Sequence, residues 1–301
     1  MLTKDQKKQI LDSVQLGIQK QQIARQLGIA NNTITNLLAT KKRCMVISDP
    51  HCDHVAGLTP PRWHYLLPVK YQAQAKEMWG WYNDKCKLLK PDIAYVMGDV
   101  TEGKGKRSGG SELITGSWKE QIGMGCEVIE ATGAQTIVMV NGTPYHVGDD
   151  EDYEDILADK LRDRGHNVKI GGHEFPKVHD IQFDLKHKIG SSSIPHGRYT
   201  ALAKSRLWNQ LWKDIDGQPK SDIIIRGHTH YFDYCGNNNF LAMICPALSG
   251  WGSKYGVRQC EGIVNTGLLW FDIYDGTDLT NINWRFDVPK FATQKVEVYS
   301  V

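Results

Sequence analysis

No run of about 18 uninterrupted apolar residues occurs in this 301-residue chain, so no membrane-spanning helix is expected. The opening stretch MLTKDQKKQILDS lacks the apolar core of a signal peptide. The seven cysteines (44, 52, 86, 126, 235, 245 and 260) are odd in number and scattered, and no CxxC pair occurs. This argues against a disulfide framework and a structural zinc knot, and predicts residence in a reducing cytoplasm. Internal repeats and low-complexity tracts are also missing.

Charge is sparse overall, with a formal net of only +2, but it is unevenly placed. Residues 1–43 carry +6, and the remaining 258 residues carry −4. A basic head on a mildly acidic body predicts two parts with different partners. At 41% apolar and 23% charged, the chain is long enough to bury a large core.

The head reads as three helices. Residues 4–16 follow Thr3 as N-cap and stop at Gly17, residues 20–27 stop at Gly28, and a third helix starts near residue 31. Ile23, Ala24, Leu27, Ile29, Ile34 and Leu37 take the apolar positions of a helix-turn-helix, with Gly28 at its turn. This segment resembles the DNA-binding helix-turn-helix domains of transposases and resolvases. On that resemblance Asn31, Asn32, Thr33, Thr35 and Asn36 would face a major groove, and Lys41, Lys42 and Arg43 would meet phosphates. The competing reading is a helical cap that packs on the body or binds protein.

Beyond Arg43 short apolar runs alternate with longer amphipathic stretches, which predicts an α/β body. CMVIS, DIAYVM, QTIVMV and SDIIIR read as buried strands, and the stretches 70–89, 115–132, 151–165 and 198–215 read as helices. The tail, including NFLAMI, NTGLLWFDI and NINWRFDV, reads as β-rich and antiparallel.

Ligands of α/β domains gather beyond the carboxyl ends of the strands. Each expected central strand here ends in a carboxylate or an imidazole: Asp49 and His51, Asp99, His146, His187, then His228 and His230. Residues two apart in extended chain point the same way, so each close pair is expected to aim two donors at one point. Carboxylates with neutral imidazoles suit Mn, Fe, Zn or Ni. The donors outnumber what one metal with open positions needs, which predicts two metals with Asp99 bridging. The other six histidines are read as non-ligands, with His196 the alternative to His187. The acidic run 149–155 reads as the charged first turn of a helix.

The segments DPH, GDVTEG and GHTH, with His187 before the last, resemble the signature of calcineurin-like metallophosphoesterases over residues 44–235. GTPYHVG and HKIGSSSIPHGRYT are similar to the phage and prophage branch, which implies a bacterial or phage-infected host cell. The resemblance implies a two-sheet β sandwich flanked by helices, spanning residues 43–301 behind a helix-turn-helix domain of residues 1–42. It also implies two divalent ions, Mn foremost. Asp49, His51 and His230 would hold the first, Asp99 would bridge, and His187 and His228 would hold the second. The family's Gly-Asn-His is replaced by Gly142-Thr143-Pro144-Tyr145-His146, so Thr143, Asn141 or His146 would stand in for the Asn ligand. His146 is the expected functional imidazole, either a ligand or a proton donor to the leaving oxygen.

The implied activity is hydrolysis of phosphoesters, nucleic-acid phosphodiesters above all, with the head tethering the enzyme to DNA. A phosphomonoesterase or protein phosphatase with a docking head is one alternative. An inactive DNA-binding protein with a degraded GTPYH segment is another. The loop EGKGKRSGG, with Glu102, Lys104, Lys106 and Arg107, reads either as a holder of phosphate or a nucleic-acid backbone or as an ordinary solvated loop, with Arg198 and Arg206 as weaker candidates of the same kind.

Overall fold

The computed structural model describes residues 2–147, 152–192, 194–215, 217–250, 252–253, 264–291 and 300. Of the acidic run, residues 149–151 lie outside the described residues, as does Cys260.

Three helices form the head: α1 (Lys4–Gln15), α2 (Lys20–Leu27) and α3 (Asn31–Ala39). Thr3 and Gln6 make a reciprocal capping box at the start of α1, and Gly28, at φ 63°, ends α2 in the left-handed conformation. Ile10, Leu11, Ile23, Ala24, Ile34 and Leu37 close a small core of their own. That core continues onto Tyr274 of the body. Lys7 Nζ lies 2.6 Å from Asp275 Oδ2, and Gln15 Nε2 donates to the Asn281 carbonyl at 2.7 Å. The head is therefore docked on residues 274–281.

Two sheets form the body. One runs β11 (Asn283–Asp287), β10 (Leu268–Ile273), β1 (Lys42–Ile47), β2 (Ile93–Val96), β3 (Thr136–Val140), β4 (Asn167–Gly171). The other runs β5 (Lys177–Val178), β6 (Ile181–Lys186), β7 (Ile223–Arg226), β9 (Phe240–Ile244), β8 (Asp233–Asn237). Strands β1 to β4 are parallel, as are β6, β7 and β9. The tail is thus only partly antiparallel: β10 and β11 are, but β9 joins β7 in parallel.

The period of two decides which layer each side chain joins. Cys44, Val46, Tyr95, Val138, Phe183, Ile223 and Ile225 meet between the sheets. Met45, Ile47, Ala94, Val96, Ile137 and Met139 face α4 (Val69–Leu89), α5 (Trp118–Glu130) and α6 (Tyr153–Asp163). Ile224, Ala242 and Ile244 face α7 (Pro195–Ile215). Burial on both faces is why these strands read as unbroken apolar runs. This mixed α/β sandwich flanked by helices is the architecture the sequence predicts. It brings the carboxyl ends of β1, β2, β3, β6 and β7 to one edge. Among the described residues no helix is long and apolar enough to cross a membrane.

Candidate metal centre

The strand ends bring seven predicted residues together. Three groups have ligand atoms within 4.8 Å of one another: Asp49, His51 and His230; His51, Asp99 and His146; and Asp99, His187 and His228. His51 and Asp99 each belong to two groups, so the donors form one contiguous centre. Among the described residues His196 belongs to no such group and is exposed at the start of α7.

The local geometry differs from extended alternation. Asp49 (φ 51°), His51 (46°), Asp99 (51°), His228 (77°) and His230 (58°) all adopt the left-handed conformation. For residues with a Cβ this costs about 1–3 kcal/mol each, and such strain concentrates at functional sites. Asp49 and His51 do converge. His228 and His230 instead fall in different groups. The expectation that both aim at one point is corrected on this count.

Each of four imidazoles has its Nδ1 occupied. His51 Nδ1 donates to Glu102 Oε2 at 2.9 Å, His187 Nδ1 to the Met97 carbonyl at 2.5 Å, and His146 Nδ1 to the Glu102 carbonyl at 3.1 Å. His230 Nδ1 faces Ser249 Oγ at 3.3 Å. That leaves each Nε2 for the centre, the arrangement in which an outer partner fixes the tautomer of a metal ligand.

The Nε2 atoms of His51 and His230 face each other at 3.0 Å. Asp49 Oδ1 lies 3.3 Å from His230 Nε2 and 3.8 Å from His51 Nε2. Two donors about 2.0–2.1 Å from one ion, at angles between octahedral and tetrahedral, stand about 2.9–3.4 Å apart. Asp49 Oδ1 is buried with no hydrogen-bond donor, and so is His187 Nε2, which lies 3.0 Å from Asp99 Oδ2 outside hydrogen-bonding geometry. Orphaned acceptors, facing lone pairs and an oxygen-nitrogen donor set all fit divalent transition-metal ions.

Electrostatics point the same way. Burial would raise the carboxyl of Asp49, but His230, His187 and His51 outweigh it and hold it far below the ordinary range. Burial likewise opposes ionisation of Asp99, and His187, His146 and His51 overcome it. Burial opposes charge on His51 and His187, but Glu102 raises the first to about 9 and Asp99 the second to about 10. The imidazoles thus supply positive charge beside both carboxylates, a place that an ion held by neutral imidazoles would take. For His146, burial and the neighbouring His51 lower the pKa to about 4.

Thr143 donates from its N–H to Asp99 Oδ1 at 2.6 Å and from its hydroxyl to Oδ1 and Oδ2 at 3.1 and 3.3 Å. Thr143 thus lies against the carboxylate of Asp99, and among the described residues it is held by contacts to that group. Asn141 turns its amide to Asp155 Oδ2 at 3.3 Å. His146 is the member of the stretch 141–146 brought within range of the other donors.

Two supporting residues escaped the sequence reading. Glu102, expected in a flexible basic loop, is buried and lies between His51 and His146, 2.9 and 3.4 Å from their Nδ1 atoms. Its position three residues after Asp99 was the available signal. Glu154, expected in the charged first turn of a helix, lies in the first turn of α6 and is fully buried there. It accepts from Val100 N–H at 2.8 Å and Gly142 N–H at 2.6 Å, tying the β2 and β3 ends together. Burial pushes its carboxyl up to about 7.

Lys104 and Lys106 are exposed, and the side chain of Arg107 lies outside the described residues. Arg198 stacks over Tyr231, 4.0 Å from its ring centroid. Arg206 is buried and donates to the Ser221 carbonyl at 2.7 Å, so it is structural and not a phosphate contact.

In the head, Asn31, Asn32, Thr35 and Asn36 are exposed on α3 and Thr33 is half-buried. Lys41 is exposed, and Lys42 lies 3.6 Å from Asp92. Arg43 departs from its predicted role. Its guanidinium binds Asp272 at 2.6 and 2.7 Å and the Leu89 carbonyl at 2.8 Å, which holds β1 to β10 and engages the charge within the fold.

No family model and no curated protein matches the chain. Among solved structures it is similar to a novel archaeal phosphodiesterase, at 13% identity over 82% of this chain and 99% of the other, with a TM-score of 0.42. Wild-type Vps29 from Entamoeba histolytica, complexed with zinc, is 15% identical over 82% and 98% of the chains, with a TM-score of 0.38. A predicted phosphoesterase from Streptococcus pneumoniae is 13% identical over 77% and 83%, with a TM-score of 0.33. At such distances the chemistry must be read from this chain's own residues.

Proposed function

We propose that the chain is a metal-dependent phosphoric ester hydrolase with a dinuclear centre. Asp49, His51 and His230 would hold one ion, His187 and His228 the other, and Asp99 both. The observation that carries this is the sharing of Asp99 and His51 between clusters of converging donors, with Asp49 Oδ1 and His187 Nε2 buried there without hydrogen-bond partners. The ions, when bound, supply Lewis acidity toward phosphoryl oxygens and toward water.

The chain's residues do the rest. Ser48 and the His228 N–H hold Asp49 Oδ2, which turns Oδ1 to the centre. Thr143 fixes Asp99. Glu102 orients His51 by its Nδ1, and its carbonyl does the same for His146. His146 Nε2, which clusters with His51 and Asp99, then serves as a further donor to the centre or carries the proton of the leaving oxygen. Beside these groups Thr143, Tyr145, Lys186 and Lys188 line a cleft of about 480 Å³, where substrate would sit.

The favoured substrate is a nucleic-acid phosphodiester, brought by a helix-turn-helix head whose α3 presents Asn31, Asn32, Thr35 and Asn36 outward. The second reading is a phosphomonoesterase with a docking head. It draws on the contacts of Lys7, Gln15 and Thr40 with the body, Thr40 Oγ1 accepting from Asp275 N–H at 2.9 Å.

Turnover of bis-p-nitrophenyl phosphate with Mn, against p-nitrophenyl phosphate, separates the two. No turnover of either ester with two ions bound sinks both and leaves the inactive DNA-binding protein. Removing the head would uncover Tyr274, so its role is tested in the full chain with Asn32→Ala and Asn36→Ala. These should weaken duplex binding and leave the small diester untouched.

A further inference from the structure

A second groove, of 260 Å³, lies between α7 and the end of β6. Its walls combine two chemistries. Trp208 and Trp212, one helical turn apart, have ring centroids 5.8 Å apart, and Trp208 is 44% exposed. Lys186, Lys188, Lys204 and Arg226 also line it, against a single carboxylate, Asp184. That carboxylate is already neutralised. The buried Arg226 donates to it from Nη1 at 2.7 Å, and the half-buried His173 from Nε2 at 2.8 Å. The groove floor is thus rigid, and the remaining lysines leave it cationic.

Its position is informative. Lys186 and Lys188 flank His187 in sequence, and both line the cleft at the metal centre as well as this groove. One cationic path therefore leads from the centre to the two indoles. An exposed indole near a half-buried one, beside lysines, matches a chain of alternating anions and flat apolar rings. A duplex hides its bases in the stack and cannot use the indoles.

We infer that this groove is the binding track for the unpaired part of a nucleic-acid strand whose phosphodiester lies at the metal centre. Trp208 and Trp212 stack bases, while Lys186, Lys188 and Lys204 follow the phosphates. The inference rests on the phosphodiesterase reading for what happens at the centre, but the groove's ligand can be measured without turnover. The head would contact paired DNA, the groove the unpaired strand.

The test uses the full chain and a fluorescein-labelled oligothymidylate, with a duplex as comparison. Trp208→Ala should weaken oligothymidylate binding by about five-fold or more, the effect of losing one stacked base. It should leave duplex affinity and bis-p-nitrophenyl phosphate turnover unchanged. Trp208→Phe should retain most of the affinity, which guards against a folding defect. Lys204→Ala should lower the salt dependence by roughly the release of one counterion. Wild-type oligothymidylate affinity in Trp208→Ala overturns the inference and leaves the neighbouring exposed Leu207 and Leu211 to a protein partner. Equal weakening toward duplex overturns it too. If the wild type turns over no diester, the phosphoesterase reading fails while the binding comparison still decides the groove.

Discussion

Gly142→Ala is the sharpest probe of the centre because it changes no donor. Gly142 follows β3, and a Cβ there would overlap Asp99 Oδ1 and N and stand 2.9 Å from its Cα, well inside the 3.4 Å of ordinary contact. The colliding atoms include backbone, so rotating a side chain cannot relieve them. The β2 and β3 ends must separate, and Glu154, bonded to Val100 N–H and Gly142 N–H, resists that. Overpacking of this kind costs about 1–3 kcal/mol of stability. A displacement of about 1 Å at Asp99 lowers the rate by about 10²-fold. The assays are diester turnover with Mn, metal content of the purified protein, and thermal unfolding. Gly80→Ala is the control: nothing lies within 4 Å of its added Cβ in α4. It should gain about 0.5–1 kcal/mol and keep full activity. Wild-type turnover and two bound ions in Gly142→Ala would refute the placement of Asp99 at the heart of the site.

Glu102→Gln should reduce metal affinity or activity about 10–100-fold, because it weakens the group that orients His51, and excess Mn should restore part of the loss. Chelation should lower the unfolding temperature and Mn should restore it, with a stabilisation of about 2.7 kcal/mol when the ion is at 100 times its Kd; an unfolding temperature indifferent to metal contradicts the site. Asp184→Ala leaves Arg226 buried without its partner and should cost about 3–5 kcal/mol. Burial opposes ionisation of Asp184, but His173 and Arg226 prevail and lower its pKa. The unfolded chain then binds this proton first as pH falls, so the pair's contribution is present at neutral pH and lost through the acid range. The gap in unfolding temperature between wild type and Asp184→Ala should therefore shrink on acidification. Arg43→Ala should lower stability and leave duplex affinity alone, the reverse of Asn36→Ala, as unfolding and binding titrations would show.

Much of this molecule can be read along the chain because its elements are local. The apolar runs at 44–48, 92–97 and 135–140 match strands to within a few residues, since burial on both faces leaves no other composition for them. Gly28 stops α2 by its own backbone preference, and the spacing of Ile23, Ala24, Ile34 and Leu37 encodes the small core of the head. The chemistry-bearing types were legible as well, because a polar residue closing an apolar run is conspicuous.

Side-chain direction and partnership needed the assembled fold. His228 and His230, which extended chain would have aligned, fall in different donor groups in the assembled fold. Arg43 looks like a DNA contact until β10, 229 positions later, places Asp272 against it. Glu102 and Glu154 look like charges of a loop and a helix start until the strand ends close over them. Composition and period are properties of neighbours in sequence, so they specify elements and residue types. Which carboxylate meets which imidazole depends on segments brought together only when the two sheets pack.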